Sequence, residues 1–292
     1  MMKFVNAKSA AEALSALSAA GGKGMLIAGG TDVMVDIEAG KHNPEMLVDV
    51  TAAKDMLGIR IEGDEIVIGA ATTLTDISTN PIIKKYYPSL SKGSGVVGSH
   101  LIRNLGTLTG NVVTAQPAAD AAMAVAPLDP TFVILSADGT TTTKKMGEMY
   151  AGFGKSTLDT SKELVKEIRL AIPADDEKAS FVRLELRKSL SLPMLNCAAM
   201  AKVVDGKVVW ARITMAPVGV GPVRATQAEE WLAGKELSLE NMAEAGRMAL
   251  LDAKPRSNPL RGSKEYREHA LPILVRRALE GIAKQLGLPY EA

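Results

Sequence analysis

The chain has little of what metal and thiol chemistry require. Its 292 residues include one cysteine, Cys197, and three histidines that lie far apart in the sequence. A single cysteine cannot form an intramolecular disulfide, and an iron–sulfur cluster is usually held by about four thiolates. The histidines show none of the spacings that are typical of zinc ligands. If this protein carries out redox chemistry, a bound organic cofactor must supply it.

The chain also lacks an excess of one charge and a long apolar run. It has 34 basic and 33 acidic residues and a formal net charge of +1, which argues against a nucleic-acid-binding protein. Apolar stretches such as 118–125 contain an acid or are shorter than the roughly 20 residues of a membrane span. The first residues lack the apolar core of a signal peptide. We therefore expect a cytoplasmic protein that binds neither nucleic acid nor membrane.

Hydrophobic residues make up 47% of the chain, which is enough for two or three compact units. The first part alternates between helix and strand. A capping box at Ser9–Glu12 predicts a helix that ends at Gly21-Gly22, and short strands are predicted at 25–28 and 46–50. A second helix is predicted to begin near Asp32. This part of the chain therefore predicts a small α+β unit.

Strand patterns dominate from about residue 56. The segments 58–69 and 131–143 each predict a hairpin, and strands are also predicted at 196–204 and 207–215. A polar, turn-prone break at Pro173–Glu177 predicts a boundary. The rest of the chain is predicted to be helical. One helix has a buried face formed by Leu271, Leu274, Val275, Ala278, Leu279 and Ile282.

A glycine-containing loop, Ala28–Asp32, directly follows the first predicted strand after the capping box. Adjacent glycines allow positive φ angles and let a ligand approach the backbone without a Cβ in the way. Exposed amides in such a turn, beside a helix start, form a concavity that suits phosphate. A tight strand–helix turn without a ligand explains the same residues.

A second polar segment, Arg103–Asp120, contains Thr107-Leu-Thr-Gly-Asn111 and ends in one carboxylate. Its hydroxyls and amides suit phosphate oxygens, and Asp120 can accept hydrogen bonds from the hydroxyls of a sugar or sugar alcohol. This chemistry fits a ligand with a pyrophosphate and several hydroxyls. A long polar loop with a helix N-cap at Asp120 is the alternative.

A third glycine pattern, Gly93–Gly98, fits the G-x-G-x-x-G motif literally but not in context. A dinucleotide fingerprint follows a strand and opens a long helix within a βαβ unit. Here Tyr86-Tyr-Pro-Ser-Leu90 precedes the motif, and a further glycine follows soon after it. We therefore do not predict a Rossmann site.

In their order and spacing these segments resemble the FAD subunits of molybdenum hydroxylases, the family of xanthine, nicotinate and carbon monoxide dehydrogenases and 4-hydroxybenzoyl-CoA reductase. The resemblance covers essentially the whole chain. Each piece is weak alone, but together they are specific. The matching segments are 26–33, 97–111, Pro117–Asp120, Phe153–Leu158, Glu163–Val165, Arg187–Leu190 and Arg261–Arg267.

The resemblance implies an α+β fold in three parts. Residues 1–175 would form a two-lobed FAD-binding domain of the PCMH type, similar to vanillyl-alcohol oxidase, with lobes at about 1–55 and 56–175. The FAD would lie between the lobes. Residues 176–292 would form a C-terminal α+β domain with a three-stranded antiparallel sheet and helices.

The resemblance also implies which residues bind FAD. The first loop and the 107–111 segment would hold the pyrophosphate, mainly through backbone amides, and Asp120 would bind the sugar-alcohol part. The segment 187–192 would approach the isoalloxazine ring. No catalytic or metal-binding residue is expected. The expected cofactor-binding residues are Met25, Leu26, Ile27, Ala28, Gly29, Gly30, Thr31, Asp32, Val97, Gly98, Thr107, Leu108, Thr109, Gly110, Asn111, Asp120, Val165, Arg183 and Leu192.

The chain departs from the family pattern at two positions. Thr109 stands where relatives usually have glycine, which adds a Cβ and a hydroxyl close to the expected phosphates. Ser191 stands near a position where relatives often carry an acid beside the flavin. The second change removes a negative charge, which bears on the flavin potential and on reaction with NAD.

The family resemblance implies an oxidoreductase subunit that transfers electrons. Electrons would pass between [2Fe–2S] clusters on a partner subunit and an external acceptor through FAD, while a molybdenum-cofactor subunit converts the substrate. NAD, ferredoxin and a quinone stay open as acceptors. A single-chain reductase or oxidase with the same FAD-binding fold is one alternative, and an FAD-free scaffold protein is another. The partner interface is expected to expose apolar side chains, with methionines among the candidates.

Overall fold

The structure is a computed structural model that describes residues 2–289. Residue 1 and residues 290–292, the outer ends of the predicted domains, lie outside the described residues. The first lobe is a three-stranded parallel sheet in the order β1-β3-β2. Its elements are β1 Lys3–Asn6, α1 Ala10–Ala19, β2 Gly24–Ile27, α2 Val33–Glu38 and β3 Met46–Asp49.

The start of α1 differs slightly from the predicted capping box. The Ser9 hydroxyl accepts a hydrogen bond from the Glu12 amide at 3.2 Å, as predicted. The Glu12 carboxylate, however, accepts from the Lys8 amide at 2.6 Å rather than from the Ser9 amide. The helix ends where Gly21 and Gly22 take φ angles of +58° and +82°, which glycine adopts without strain. The Ser9 cap at the start and the two glycines at the end therefore set the length of α1.

The second lobe is a five-stranded antiparallel sheet in the order β4-β5-β10-β6-β7. Both predicted hairpins are confirmed, as β4 with β5 and β6 with β7. The polar stretch between them folds into short helices. A helix start at Asp120 was one of the two interpretations of this stretch, and the other short helices were not predicted. The elements are β4 Ile59–Glu62, β5 Glu65–Gly69, α3 Leu74–Thr79, α4 Pro81–Tyr86, α5 Pro88–Gly95, α6 His100–Arg103, α7 Leu108–Val113, α8 Asp120–Val125, β6 Thr131–Ser136, β7 Thr141–Lys145, β8 Tyr150–Gly152, β9 Lys155–Ser156 and β10 Glu163–Ala171.

The literal G-x-G-x-x-G pattern lies within and just after α5, not between a strand and a helix. A Cβ on Gly93 would lie 2.2 Å from the Cβ of Ala124 in α8. Glycine at this position therefore lets two helices cross closely. The exclusion of a Rossmann motif is confirmed.

The C-terminal domain has an antiparallel sheet in the order β11-β12-β13-β14. Three long strands match the predicted three-stranded sheet, and a two-residue strand is added at one edge. The predicted helical remainder is also confirmed. The elements are β11 Glu177–Leu184, β12 Leu195–Val204, β13 Lys207–Ala216, β14 Val223–Arg224, α9 Thr226–Leu232, α10 Leu239–Met248 and α11 Lys264–Gln285.

The long strand β12 lies between two hydrophobic cores. Successive side chains of a strand point to opposite faces. Accordingly, Ala198 and Met200 join the core of the two lobes described above, whereas Cys197 and Ala199 join the core beneath α9–α11. Asn196 therefore faces the first of these cores, towards α8. No helix among residues 2–289 is long and apolar enough to cross a membrane.

Candidate functional site

The first glycine loop connects β2 to α2, as predicted. Met25, Leu26 and Ile27 lie in β2, and the turn itself is Ala28–Asp32. Gly30 has a φ angle of +67°, which favours glycine. Within residues 2–289, no backbone carbonyl accepts a hydrogen bond from the amides of residues 29–32. A row of unpaired amides at a helix start is suited to an anionic ligand.

The first loop packs directly against the segment that precedes α7. A Cβ on Gly29 would lie 2.0 Å from the carbonyl oxygen of Leu105 and 2.7 Å from the amide nitrogen of Gly106. A Cβ on Gly106 would lie 3.6 Å from the hydroxyl oxygen of Thr31. The two glycine-containing segments, separated by more than 70 positions in the sequence, are therefore neighbours in the fold.

The second segment forms the first turn of α7. The Thr107 hydroxyl accepts a hydrogen bond from the Gly110 amide at 2.9 Å and so caps the helix. Among the described residues, the amides of Leu108 and Thr109 donate to no backbone carbonyl. The Asn111 side chain accepts from the Ala122 amide at 3.0 Å and joins α7 to α8. This turn therefore offers free amides beside the first loop.

Val97 and Gly98 form the turn between α5 and α6. Gly98 has a φ angle of +51°, and a Cβ there would lie 3.0 Å from the Ile102 side chain. The Arg103 guanidinium donates to the carbonyls of both residues at 3.1 Å. The arginine thus fixes this turn at the entrance to the second segment.

Asp120 lies at the centre of a buried polar cluster. It is 5% exposed and is the first residue of α8, but its side chain does not cap the helix. One carboxylate oxygen, Oδ1, accepts from the Arg183 Nε at 3.1 Å and from the Asn196 Nδ2 at 2.8 Å. The other oxygen, Oδ2, has no protein donor in the described part of the chain. That atom can accept a hydrogen bond from a ligand hydroxyl.

Burial raises the pKa of Asp120 to about 6, against the opposing effects of the Arg183 charge and the hydrogen bond from Asn196. A carboxylate in a largely dry site loses hydration when it ionises, and two donors do not fully replace the water. Asp120 therefore holds its proton more tightly than an exposed aspartate does.

The loop that connects β11 to β12, residues 185–194, carries the segment expected near the flavin ring. Leu186, Leu190 and Leu192 are exposed there, with Leu192 at 58%. Ser191 is buried, and its hydroxyl donates to the Leu192 carbonyl at 3.1 Å. We name residues 185–192 the flavin loop. Its exposed large apolar side chains are these three leucines.

Two expected site residues are almost closed to solvent, and a third has a buried hydroxyl oxygen. Leu108 is 1% exposed and Val165 is 3% exposed, and both belong to the hydrophobic core. The Thr109 hydroxyl oxygen is buried and has no hydrogen-bond partner in the described structure.

Sequence analysis missed residues that complete the site. Asn196 is fully buried and donates to Asp120, and Leu105 and Gly106 provide the surface on which the first loop rests. A signal for Asn196 was present, since it is an isolated amide in the otherwise apolar run 195–201. Nothing in the local sequence indicates the contact of Leu105 with Gly29.

Two family models match nearly the whole chain. Residues 1–174 match the FAD binding domain in molybdopterin dehydrogenase, and residues 180–282 match the CO dehydrogenase flavoprotein C-terminal domain. These matches, with the relatives described next, confirm the predicted family, fold class and FAD cofactor.

The relatives are subunits of similar length. The chain is 33% identical over 264 residues to the nicotinate dehydrogenase FAD-subunit of Eubacterium barkeri, covering 89% of this chain and 88% of that protein. It is 27% identical to the carbon monoxide dehydrogenase medium chain of Hydrogenophaga pseudoflava, covering 93% of each.

Solved structures agree. The structure is similar to carbon monoxide dehydrogenase from Hydrogenophaga pseudoflava, in a form that lacks the Mo-pyranopterin moiety of its cofactor. The TM-score is 0.90 with 27% identity, and the match covers 97% of this chain and 98% of that one. The chain therefore belongs to the family of FAD-binding subunits of molybdopterin dehydrogenases, and is the flavoprotein subunit of an oxidoreductase.

Proposed function

We propose that this chain is the electron-transfer subunit of a molybdenum hydroxylase complex, passing electrons between the [2Fe–2S] clusters of a partner subunit and an external acceptor by way of FAD. A second partner subunit would carry the molybdenum cofactor and convert the substrate. Support comes from the relatives, which are named as the FAD-subunit or medium chain of nicotinate and carbon monoxide dehydrogenases. The observation that carries the proposal is the contact of two amide-rich turns at Gly29 and Leu105.

The residues present fit an extended dinucleotide. The amides of residues 29–32 and of Leu108 and Thr109 lack backbone acceptors, and glycine at position 29 leaves no Cβ between the two turns. We assign the diphosphate to these amides, because negative charge is stabilised where unpaired N–H groups converge. Val97 and Gly98 would border the cofactor next to these amides.

The polyhydroxyl part of FAD is assigned to Asp120. Its Oδ2 is the carboxylate oxygen that Arg183 and Asn196 leave free. The flavin loop, with Leu192, would then border the ring system. Val165 would contribute through its backbone in β10, since its side chain lies in the core. FAD, when bound, supplies a redox group that exchanges one or two electrons.

No proton-transferring residue of this chain is needed for such a role. The chain's contribution is to bind the cofactor, fix its position relative to a partner cluster and adjust its potential through nearby charges. The single cysteine is buried in β12, so the chain itself offers no exposed thiolate relay. We keep the domain limits of 1–175, with lobes at about 1–55 and 56–175, and 176–292 as part of this proposal.

Copurification with the partner subunits tests the proposal. The chain is expressed with candidate molybdenum and iron–sulfur subunits from the same genome, and the complex is assayed for FAD, iron and molybdenum. One FAD per copy of this chain is expected, together with flavin reduction when substrate is added anaerobically. A flavin that stays oxidised while the clusters are reduced would contradict electron transfer through this subunit.

The external acceptor is tested in the same preparation. The substrate-reduced complex is mixed in turn with NAD⁺, with a ferredoxin and with a soluble quinone, and flavin reoxidation is followed by its absorbance. The acceptor that reoxidises the flavin at the turnover rate is the one this subunit serves. Reoxidation of the complex by all three at equal rates would contradict a specific acceptor site on this chain.

A further inference from the structure

The flavin loop has almost no backbone support of its own. Its base is closed by the Met194 amide, which donates to the Leu184 carbonyl at 2.8 Å. Within the described residues, no backbone–backbone hydrogen bond joins two residues of the loop. Leu190 takes a φ angle of +51°, which is unfavourable for a residue with a side chain. Segments with so few internal bonds depend on side-chain contacts for their order.

Arg183 supplies the contact between this loop and the rest of the site. Its Nη2 donates to the carbonyl of Ser191, and its Nη1 forms an ion pair with Glu185 at the start of the loop. Its third nitrogen, Nε, donates to Asp120 at 3.1 Å. The side chain is 7% exposed. All three nitrogens of the guanidinium therefore bond to the protein.

A planar guanidinium is suited to this geometry. Its donors point in fixed directions and can hold three acceptors at once, whereas a lysine ammonium is a point charge on a flexible stem. The acceptors come from α8 and from both ends of the flavin loop. A change in the position of the Asp120 carboxylate is therefore transmitted to the Ser191 carbonyl through one rigid group.

We propose that Arg183 is a positioning residue that couples the binding of the FAD sugar-alcohol chain at Asp120 to the order of the flavin loop. This inference rests on the proposed function, because it requires FAD to bind at Asp120. It assigns Arg183 a role through Asp120 and Ser191 rather than through direct contact with FAD. Binding at Asp120 fixes the carboxylate, and Arg183 then holds the loop and its leucines against the ring.

Hydrogen exchange of the full chain, with and without saturating FAD, tests the coupling. In the natural protein, FAD is expected to slow amide exchange in a peptide covering 185–194. In Arg183→Lys, at an FAD concentration that saturates the variant, this slowing is expected to fall by about tenfold or more. The lysine keeps the positive charge beside Asp120 but cannot reach the Ser191 carbonyl at the same time.

Arg169→Lys is the matched control. Arg169 also bonds to several groups, the carboxylates of Glu62, Glu65 and Glu167, but it contacts neither Asp120 nor the flavin loop. We expect this variant to keep the FAD-dependent slowing. A purely structural role for Arg183 would make the two variants alike, with faster exchange spread over the chain and no specific loss at 185–194. The flavin absorbance spectrum supplies a second readout, since the altered ring environment should shift it in Arg183→Lys alone.

The outcomes separate this inference from the proposed function. If the natural chain does not bind FAD, the proposed function fails. If it binds FAD and the flavin loop exchanges at the same rate with and without it, or if Arg183→Lys keeps the full slowing, the coupling is overturned and the function stands. Should Arg183→Lys fail to fold, Asp120→Asn tests the coupling from its other end. Retention of the FAD-dependent slowing in that variant would overturn the inference equally.

Discussion

Gly29 lies so close to Leu105 that a Cβ on the glycine would be 2.0 Å from the leucine carbonyl oxygen. Real Cβ atoms do not approach backbone at this distance, so any side chain at position 29 forces the two segments apart. The first loop and the turn before α7 therefore meet only because residue 29 is glycine. We expect FAD affinity to depend on this contact.

Gly29→Ala tests the contact. The variant is expected to weaken FAD binding by at least about tenfold, which corresponds to roughly 1.4 kcal/mol, and to lower the melting temperature of the FAD-free chain. The physical reason is that the added methyl group displaces the Leu105 backbone and the amides that follow it. FAD affinity is measured by fluorescence titration of the FAD-free protein.

Substitutions at two other glycines serve as controls for the effect of Gly29→Ala on FAD affinity. At Gly147 an added Cβ would meet nothing within 4 Å and φ is not positive, so Gly147→Ala should leave affinity and stability unchanged. At Gly110 an added Cβ would lie 3.0 Å from the Thr107 hydroxyl oxygen, so Gly110→Ala should have an intermediate effect. Equal affinity of Gly29→Ala and Gly147→Ala for FAD would show that the diphosphate does not bind where Gly29 contacts Leu105.

Asp120 gives the stability of the FAD-free chain a specific pH dependence. An exposed aspartate titrates at about 3.9, whereas burial raises the pKa of Asp120 in the folded chain to about 6. Between these two values the folded state holds a proton that the unfolded state has lost. Raising the pH through this window therefore destabilises the fold, by an amount on the order of 3 kcal/mol.

Asp120→Asn should remove this contribution. Chemical denaturation of both proteins is measured from pH 4 to pH 7, and the free energy of unfolding of the natural chain minus that of the variant is plotted against pH. We expect the difference to fall as the pH rises to about 6 and then to level off. A difference that rises over the same interval would mean that Arg183 and Asn196 outweigh burial and lower the pKa of Asp120.

Two threonines in the first turn of α7 are expected to respond with opposite signs. The Thr109 hydroxyl is buried without a partner, so Thr109→Val should raise the free energy of unfolding of the FAD-free chain by about 1 kcal/mol. The Thr107 hydroxyl caps the helix through Gly110, so Thr107→Val should lower it by about 1 kcal/mol.

Thermal unfolding of the FAD-free proteins measures both effects. The two substitutions are isosteric and only two positions apart, so each serves as the control of the other. Destabilisation of both variants to the same extent would indicate that the Thr109 hydroxyl has a partner in solution, for which water is the simplest candidate.

Sequence analysis predicted those parts of the site whose chemistry is local. The turn at Ala28–Asp32 was predicted because two glycines follow a strand and precede a helix, and both hairpins were predicted from alternation and turn residues. The short helices α3–α7 were not predicted, because each is about one or two turns long and depends on packing against its neighbours rather than on intrinsic propensity.

The hydrogen bonds of Asp120 are tertiary contacts that a sequence pattern does not predict. The carboxylate meets Arg183 and Asn196 because β11 and β12 pair in a register that sets these two residues opposite each other. That register places both beside α8, more than 60 positions away in the sequence. Asp120 and Arg183 were each expected at the site from the family resemblance, but their contact follows only from the tertiary structure.

The central claim is that the turns at 29–32 and 107–110 bind one diphosphate together, and a crystal structure of the chain with FAD tests it most directly. We predict diphosphate oxygens within about 3.2 Å of amide nitrogens from both turns, with a ribityl hydroxyl on Asp120 Oδ2. A diphosphate that contacts only one of the two turns, or a flavin bound away from Asp120, would contradict it.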